Sequence, residues 1–300
     1  MHAPPRPSFA PRHWAGWAGI GIAWLAGQLP WRVQRGLGRG IGWLAYAVAR
    51  SRRRAARINL ALCFPEWDEP ARKALLREHF AALGVGLFEF ARAWWGSIAP
   101  LRRTMRIDGL EHLQAAMVHG RGVLLVSGHF LNLEICGRLL CDHVPLAGMY
   151  RRHDGAVMEW AVLRGRMRYA AAMFQQHELR GAVRHLKRGG VLWYAPDQDM
   201  RGKDTVFAPF FGIPAATITA THQLARLTGC AVLPFFHHRQ GDRYRLRIAA
   251  PLADFPSADA AADSGRVNAA IEAMVRQAPA QYLWIHRRFK RRPPGEPGLY

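Results

Sequence analysis

The stretch Val123-Leu-Leu-Val-Ser-Gly-His129-Phe-Leu-Asn-Leu-Glu134 decides the fold that this sequence predicts. Its first four residues are apolar and lie between two glycines, a pattern typical of a fully buried β-strand. His129 then falls in the turn after the carboxyl end of that strand, where open α/β sheets bind their ligands. A helix is predicted from Asn132, because Asn132 can cap its start and Glu134 lies near the positive end of the helix dipole. In this arrangement we expect Glu134 to fold back toward His129.

The spacing of His129 and Glu134 disfavours two kinds of site. Residues five apart on one helix lie about 140° apart around its axis, so the two side chains would not share a face as helical zinc ligands do. Ser127 lacks the flanking glycines of a nucleophile elbow, because Leu125 and His129 occupy those positions. We therefore predict neither a metal site nor a serine nucleophile.

A histidine whose tautomer is fixed by an acid is the interpretation that remains. Such a base takes a proton from a hydroxyl as its oxygen attacks an activated carbonyl, and contributes roughly 10²–10⁴-fold to the rate. We predict that His129 is the general base, that Glu134 orients it, and that a backbone N–H near Gly128 or the helix start meets the oxyanion. The competing interpretation is that His129 caps a loop and Glu134 is an ordinary acid of a first helical turn.

The segments on either side of this stretch alternate between predicted helices and strands. Residues from about 55 to 95 have a helical pattern, and Asp68 can cap a helix within them. Further strands are predicted at 146–150, 191–195, 231–236 and 244–249, and helices at 111–118, 155–174, 178–188 and 214–228. This alternation predicts an α/β fold with a mostly parallel sheet flanked by helices. We divide the chain into an N-terminal membrane anchor (1–31), a helical lead-in (32–105) and an α/β core (106–300) that ends in a basic tail.

The charge of the chain limits its partners. The 300 residues carry a formal net charge of +21, and only four of the 42 basic residues are lysines. Such a field favours anionic partners, which include phospholipid surfaces, phosphorylated glycolipids, acidic carrier proteins and nucleic acid. The four cysteines form no CxxC pair, so they predict neither a zinc site nor a disulfide framework, in keeping with a cytoplasmic location.

The N-terminal segment Trp14–Trp31 contains no charged residue. As one helix it would be about 27 Å long, just enough to cross the hydrocarbon core of a bilayer. Arg32, Arg35 and Arg39 follow it, which by the positive-inside bias places the rest of the chain in the cytoplasm. We expect a retained membrane-anchoring helix. The alternatives are a cleaved signal peptide and a helix that lies flat in the interface, which its tryptophans and glycines favour.

Three further stretches contain candidate site residues. Arg164, Arg166 and Arg168 form a cationic group that could clamp a phosphate or a pantetheine arm, or could be a solvated helix face. Asp197 and Asp199 follow a predicted strand, at the edge where ligands bind. Beyond them, three phenylalanines could line an acyl slot or belong to the core, and the cationic tail could meet lipid phosphate or be solvated. These phenylalanines and the tail are Phe207, Phe210, Phe211 and Tyr282–Arg292.

Taken together, these stretches resemble the late acyltransferases of lipid A biosynthesis, a branch of the lysophospholipid acyltransferase superfamily with an HxxxxD/E signature. The blocks that carry the resemblance occur in the family's order and are SGHFLNLE (127–134), YAPDQD (194–199), FAPFFGIPAAT (207–217) and YLWIHRRFKRRP (282–293). The resemblance extends from the N-terminal segment to the tail, so it covers nearly the whole chain.

The resemblance implies a reaction and a set of site residues. His129 and Glu134 correspond to the catalytic pair of that family. Its downstream arginine and aspartate correspond best to Arg166 and Asp197, with Arg164 and Asp199 as neighbouring candidates. Arg166 would hold phosphate or the donor, and Asp197 would position the acceptor or the arginine.

The same resemblance implies the partners of the protein. Family members transfer a fatty chain from acyl carrier protein to a hydroxyl of a Kdo-bearing lipid A precursor. They do so at the cytoplasmic leaflet of the inner membrane and need no metal or other cofactor. Two other functions stay open at this point. One is transfer to another lipid, such as a lysophospholipid or an amino-acid lipid, from acyl-coenzyme A. The other is a non-enzymatic cationic protein, although no nucleic-acid-binding motif occurs in the sequence and we predict no nucleic-acid partner.

Overall fold

The first third of the chain is helical in the computed structural model, which describes residues 6–118, 120–200, 202 and 204–300. Its helices are α1 (Trp14–Gln28), α2 (Trp31–Val48), α3 (Arg50–Cys63), α4 (Glu69–Trp95) and α5 (Ala99–Thr104). Helix α4 begins where the sequence predicts a capped start, since the Asp68 side chain accepts a hydrogen bond of 2.8 Å from the Ala71 N–H. The long helix α4 is largely buried, and α1, α2 and α3 pack against it.

A mostly parallel sheet lies at the centre of the rest of the described chain. Its strands run in the order β1-β9-β8-β2-β5-β3-β4, and every neighbouring pair is parallel except β8 and β9. The strands are β1 (Arg106–Asp108), β2 (Val123–Val126), β3 (Leu146–Tyr150), β4 (Ala172–Gln175), β5 (Val191–Tyr194), β6 (Thr205–Phe210), β7 (Ile213–Ile218), β8 (Ala231–Gln240) and β9 (Arg243–Ile248), of which β6 and β7 form a separate antiparallel hairpin.

Helices cover this sheet. They are α6 (Leu110–Val118), α7 (Leu133–Leu140), α8 (Ala156–Arg166), α9 (Leu179–Lys187), α10 (Ala220–Thr228) and α11 (Ala260–Gln277). All four residues of β2 are fully buried, as expected for a central parallel strand that is covered on both faces. The predicted α/β fold with a mostly parallel sheet and flanking helices is therefore confirmed.

Some predicted element boundaries are wrong. The helix predicted to continue to residue 174 ends at Arg166, and the chain then forms strand β4 at the edge of the sheet. Pro214 does not begin a helix but lies in β7 opposite Pro209, where a two-stranded hairpin tolerates the missing N–H groups at its free edges. Helix α10 begins six residues later, at Ala220.

The predicted membrane-spanning helix is also wrong. Among the described residues, no helix is both long enough and apolar enough to cross a membrane. The uncharged run Trp14–Trp31 is divided between α1 and α2, because Leu29 is extended (ψ 150°) in front of Pro30, a position that disfavours helix. Helix α1 instead packs along α4 and contacts α8.

Candidate active site

The carboxyl ends of β2 and β5 bring the two central residues of the site together. These strands are parallel neighbours, so the segments that follow them leave the same edge of the sheet. The Ser127 N–H donates to the Tyr194 carbonyl oxygen (3.1 Å), which extends their pairing beyond the strands. His129 follows β2 and Asp197 follows β5, and the two lie in contact although 68 positions separate them in the sequence.

Asp197 holds His129 by two hydrogen bonds. Its Oδ1 lies 2.5 Å from His129 Nδ1, and its Oδ2 accepts a bond of 2.8 Å from the His129 backbone N–H. An ionised carboxylate can only accept, so Nδ1 carries a proton, and in the neutral ring the lone pair is on Nε2. Asp197 is buried, whereas 29% of the His129 side chain is exposed. The geometry therefore presents a histidine base to solvent and fixes its tautomer from behind.

Asp197 remains ionised despite its burial. Burial alone would raise the pKa of this carboxyl, but the charge and hydrogen bonds of His129, with the hydroxyl of Tyr282, outweigh it and lower the pKa to about 2. Asp197 is thus negatively charged at any physiological pH, which is the state that stabilises a protonated His129.

Glu134 does not orient His129, and this part of the prediction is wrong. Within the described chain its carboxylate accepts hydrogen bonds from Trp94 Nε1 (2.8 Å), from Arg166 Nε and Nη2 (2.8 and 2.9 Å) and from the Tyr169 hydroxyl (3.0 Å). Glu134 is buried in the first turn of α7, where a carboxylate must be satisfied by such donors. The structure thus pairs His129 with Asp197 and Glu134 with Arg166.

The Glu134–Arg166 ion pair is fully formed. Burial alone would raise the pKa of Glu134, but the charge and hydrogen bonds of Arg166, with bonds from Trp94 and Tyr169, outweigh it and lower the pKa. For Arg166, the charge of Glu134 outweighs desolvation and raises the pKa. Two donor nitrogens of Arg166 are thus committed to Glu134, so the predicted role of binding phosphate or the donor is open only to the rest of its guanidinium group.

An apolar pocket of about 40 Å³ adjoins this ion pair. Glu134 and Arg166 lie in its wall, and most other lining side chains are apolar, including Leu133, Met173 and Trp193. This volume is well below that of ordinary small-ligand pockets, roughly 300–1,000 Å³, so the space is a narrow slot. The start of α7 therefore links the catalytic turn to a narrow apolar slot.

The three phenylalanines of the FAPFFGIPAAT block do not line this pocket. Phe210 is fully buried and packs against Tyr282 and Phe289, with ring centroids 6.1 and 6.2 Å apart. Phe211 packs against Trp284 (6.3 Å), and Phe207 is 41% exposed on β6. The interpretation of Phe210 as a core residue is confirmed, and Phe211 is partly buried against the same core.

The neighbouring candidates Asp199 and Arg164 contact other residues, not the His129–Asp197 pair. The Asp199 N–H donates to His286 Nε2 (3.0 Å), and its carboxylate accepts a bond of 2.5 Å from Arg291 Nε. Arg164 is exposed on α8, with its guanidinium carbon 5.5 Å from the ring centroid of Trp160. Asp199 is therefore tied to the C-terminal segment, and Arg164 faces outward from α8.

The basic tail is packed into the protein over much of its length. Arg288 is 2% exposed and donates to the Ala216 carbonyl (2.5 Å) and to Thr217 Oγ1 (2.8 Å) of β7. Arg292 donates to the Pro214 carbonyl oxygen (2.7 Å). These two cations therefore anchor the tail on the β6–β7 hairpin. Their role is neither that of solvated side chains nor that of phosphate ligands, the two alternatives considered from the sequence.

The residues Gln281, Tyr282 and Leu283 support the catalytic turn and were not predicted as site residues. The Leu131 N–H donates to the Gln281 carbonyl (2.8 Å), and the Leu283 N–H donates to the His129 carbonyl (3.0 Å). The Tyr282 hydroxyl lies near Asp197 and helps to keep the pKa of that carboxyl low. The only signal in the sequence was the cluster of aromatic residues in the tail block, which does not indicate where that block packs.

The arrangement has the parts of a general-base site. An exposed Nε2 lies at a sheet edge, a buried carboxylate stands behind it, and an apolar pocket opens beside the next helix. No group of three or more His, Cys, Asp or Glu side chains that could hold a metal ion occurs in the part of the chain that the structure describes. Such a constellation can activate a hydroxyl for attack on an acyl group.

This fold and site combine a mostly parallel α/β sheet with a histidine that a buried carboxylate supports. The chain belongs to the bacterial lipid A biosynthesis acyltransferase family, whose sequence profile matches residues 6–291. The protein is therefore an acyltransferase, as the sequence predicted.

Relatives that are similar over nearly their full length differ in the acyl group that their names give. The lipid A biosynthesis palmitoleoyltransferase of Escherichia coli (strain K12) is 41% identical over 97% of this chain and 95% of its own. The lauroyltransferase of the same organism is 39% identical over 97% and 96%, and its myristoyltransferase is 28% identical over 95% and 90%. A solved structure, the 1-acyl-sn-glycerophosphate acyltransferase PlsC of Thermotoga maritima, aligns over 83% of this chain and 99% of its own with a TM-score of 0.40 and 14% identity.

Proposed function

We propose that this protein transfers a fatty acyl chain from an acyl carrier protein thioester to a hydroxyl of a Kdo-bearing lipid A precursor, at the cytoplasmic face of the inner membrane. One observation carries the proposal: the partly exposed His129 is held in the basic tautomer by Asp197, and Leu133, four residues further on, lines a narrow apolar pocket. The names of the relatives supply the lipid A class of acceptor. The cationic surface suits both an acidic carrier and an anionic glycolipid.

The reaction is a direct transfer without a covalent enzyme intermediate. Nε2 of His129 takes the proton of the acceptor hydroxyl while that oxygen bonds to the thioester carbonyl carbon. The carbon–sulfur bond then breaks, and the leaving thiolate takes the proton back from Nε2. Asp197 stabilises the imidazolium that exists between the two steps, and itself stays unprotonated.

Glu134 and Arg166 contribute to this reaction by positioning the helices around the site. Their bidentate ion pair joins the first turn of α7 to the end of α8, and both residues lie in the wall of the apolar pocket. We assign the pocket to the acyl chain and the ion pair to holding its entrance open beside the catalytic turn. The oxyanion is assigned to a backbone N–H near Gly128 or the start of α7.

Association with the membrane is proposed to occur through α1 and α2. The residues Val33, Leu37, Ile41, Leu44 and Val48 repeat every three or four positions along α2, and all are between 43% and 67% exposed. Helix α1 exposes Trp14, Ile22 and Leu25. Two helices with exposed apolar side chains and neighbouring arginines suit an orientation parallel to an anionic membrane surface.

A transfer assay tests the proposal. The purified full-length protein is incubated with an acyl carrier protein thioester and a Kdo-bearing lipid A precursor, and His129→Ala is assayed beside the wild type. We expect the variant to lose activity by about 10²–10⁴-fold, the contribution of a general base. Equal turnover by the two proteins contradicts the proposal. Acyl-coenzyme A and a lysophospholipid, offered in competition, identify an alternative donor or acceptor.

A further inference from the structure

A wide groove of about 310 Å³ lies between α1 and α8, apart from the apolar pocket beside Glu134. Its lining combines indole rings with guanidinium groups, and Ala161 and Gly165 of α8 are its buried lining residues. The aromatic and cationic residues of this groove are Trp17, Trp24, Trp95, Trp160, Arg164 and Arg168. It is both apolar and strongly basic.

The positive charge of the groove has no acidic partner. Among the described residues, neither Arg164 nor Arg168 forms an ion pair, and Arg6, which lies over the same Trp160 ring as Arg164, forms none either. The carboxylate of α8, Glu159, is buried and accepts bonds from the Tyr150 hydroxyl and the His153 N–H. Arg6 and Arg164 thus share the Trp160 ring, Arg168 lines the same groove, and none of the three is paired with a carboxylate in the described chain.

The two groove arginines, Arg164 of α8 and Arg168 just beyond its end, contrast with Arg166 between them. Arg166 is neutralised by Glu134, whereas Arg168 donates to the Trp94 carbonyl oxygen (2.8 Å), a neutral acceptor that fixes its position and leaves its charge. Arg164 lies against an indole, which also leaves its charge exposed. A ligand with a phosphate would supply the missing anion, because guanidinium groups bind phosphate through paired hydrogen bonds.

The groove is directly coupled to the active site. A Cβ on Gly165 would lie only 2.6 Å from the Trp94 ring, so the lining of the groove is packed against this indole. Trp94 in turn donates to Glu134 (2.8 Å), in the wall of the apolar pocket. One side chain thus separates the groove from the pocket that the proposed function assigns to the donor chain.

We infer that this groove binds the acceptor, an acylated glycolipid, with a phosphate on Arg164 and Arg168 and hydrocarbon against the indoles. The inference rests on the proposed function, because it takes from it the two-substrate reaction and the place of the donor chain. Tryptophan suits this role because its ring is largely apolar with one polar edge, as at lipid–water interfaces. Helix α1 forms one wall of the groove and exposes apolar side chains on its outer surface, so a lipid can enter laterally from a membrane beneath α1.

Steady-state kinetics with two forms of the acceptor test the inference. The double variant Arg164→Gln/Arg168→Gln is compared with the wild type and with Arg180→Gln, an exposed arginine of α9 outside the groove. The acceptors are a phosphorylated lipid A precursor and the same lipid after removal of its phosphate. For the phosphorylated acceptor we expect the double variant to raise KM by at least about tenfold, since charged hydrogen bonds are lost. We expect the donor KM to stay within about twofold and Arg180→Gln to match the wild type.

The dephosphorylated acceptor distinguishes phosphate recognition from a general loss of structure. For the dephosphorylated acceptor, we expect the wild type to have a high KM and the double variant to have a KM that is no higher. An increase in donor KM instead of acceptor KM assigns the groove to the carrier and overturns the inference. An equal loss with both acceptors, or the same loss in Arg180→Gln, also overturns it.

A binding measurement separates failure of this inference from failure of the proposed function. Tryptophan fluorescence of the full-length protein in zwitterionic detergent is followed during titration with the phosphorylated lipid, without donor. If the phosphorylated lipid quenches the fluorescence of the wild type saturably and that of the double variant does not change, the result supports lipid binding in the groove. This holds even if the wild type shows no acyl transfer. Normal transfer with unchanged binding by the double variant contradicts the groove while leaving the proposed function standing. Equal competition by phosphatidylglycerol vesicles would identify a non-selective membrane patch and contradict it too.

Discussion

Two buried carboxylates near the catalytic turn have different surroundings, and these surroundings separate their roles. Asp197 faces the ring and backbone N–H of His129, so its charge acts directly on the proton-transferring group. Glu134 faces a guanidinium, an indole and a phenol, so its charge is neutralised locally. Only Asp197 can therefore stabilise an imidazolium at position 129, whereas loss of Glu134 would leave Arg166 buried without its counter-ion.

Substituting Asp197 by Asn tests this division. The amide keeps the shape of the side chain but can donate a hydrogen bond to Nδ1, which favours the tautomer with its proton on Nε2. We expect kcat to fall by about 10⁴-fold, as happens when the acid of a histidine–acid pair is neutralised. Asp199→Asn is the control and should lose much less, because Asp199 pairs with Arg291. Similar kcat values for the two variants would contradict the role of Asp197.

The lowered pKa of Asp197 also predicts a pH effect on stability. Its pKa falls from 3.8 to about 2 on folding, so its stabilising contribution is present above about pH 4 and is lost as the pH falls toward 2. In chemical denaturation, the difference in unfolding free energy between wild type and Asp197→Asn should be constant near neutral pH. It should shrink below about pH 4. A difference independent of pH down to 2 would show that the carboxyl is not perturbed in this way.

Tyr282 is expected to tune the pKa of Asp197. Its hydroxyl stabilises the carboxylate anion, so Tyr282→Phe should raise the pKa of Asp197 from its value of about 2. The stabilising contribution of Asp197 should then be lost at a higher pH than in the wild type, and acid unfolding should begin earlier as the pH falls. Tyr300→Phe, which removes a hydroxyl bonded to the Phe289 N–H (3.1 Å), should leave the pH of this loss unchanged. An unchanged pH of acid unfolding in Tyr282→Phe would limit this residue to packing.

At the scale of elements, the local signals were sufficient for the strand, turn and helix around His129. The apolar run between two glycines determines where β2 ends, and α7 begins directly after Asn132. The predicted cap is wrong, however, because the Asn132 side chain makes no capping bond and instead bonds to Gln281 (2.9 Å) and His237 (2.9 Å). The pairing of side chains was not predictable in this way. Asp197 reaches His129 only because β5 happens to be the neighbour of β2, and Glu134 turns away because Trp94 and Arg166 arrive from other helices. Such contacts depend on strand order and helix packing, which no local pattern encodes.

The same limit applies to the helices at the N-terminus. The uncharged run has the length of a membrane span, and length was the main basis for predicting one. Close packing of glycines against α4 was not visible from composition alone. A Cβ on Gly42 would overlap the Phe80 carbonyl oxygen, and a Cβ on Gly84 would overlap that of Gly38. Helix α2 therefore lies against α4 with backbones nearly in contact.

This close approach predicts a sharp difference between two glycines of α2. Gly42→Ala should destabilise the protein by about 1–3 kcal/mol or more, because an inserted methyl group collides with backbone that cannot move aside. At Gly40 a methyl group would meet no other atom within 4 Å, so Gly40→Ala should be neutral or slightly stabilising through helix propensity. Thermal unfolding of both variants measures the difference. Equal melting temperatures would contradict the close packing of α2 on α4.

At the scale of the whole molecule, the arginines fall into two groups. One group stabilises the fold by donating hydrogen bonds to backbone carbonyl groups, and it includes Arg92, Arg138 and Arg288. Others, such as Arg32 and Arg39 of α2, are exposed beside the apolar side chains of that helix. Part of the net charge of +21 therefore lies on a surface that also exposes apolar side chains. This combination favours an anionic bilayer over a soluble polyanion as the partner of that surface.

If α2 lies on the bilayer, charges placed on its apolar face should release the protein from membranes. Leu37 and Leu44 are 49% and 62% exposed on that face, and Leu227 of α10 is 54% exposed elsewhere. We expect Leu37→Asp/Leu44→Asp to abolish cosedimentation with phosphatidylglycerol-containing vesicles, because two leucines are lost from the contact and two anions face an anionic surface. Leu227→Asp should cosediment like the wild type.

The transfer rate then shows whether the bilayer serves to deliver substrate. With the acceptor embedded in vesicles, Leu37→Asp/Leu44→Asp should lose most of its activity. With acceptor and enzyme in the same detergent micelles it should recover the wild-type rate, because neither substituted residue lines the groove or the apolar pocket. Full activity on vesicles would show that the acceptor reaches His129 without α2 on the membrane. Loss of activity in both settings, with normal thermal unfolding, would place this face in catalysis itself and contradict a purely membrane-docking role.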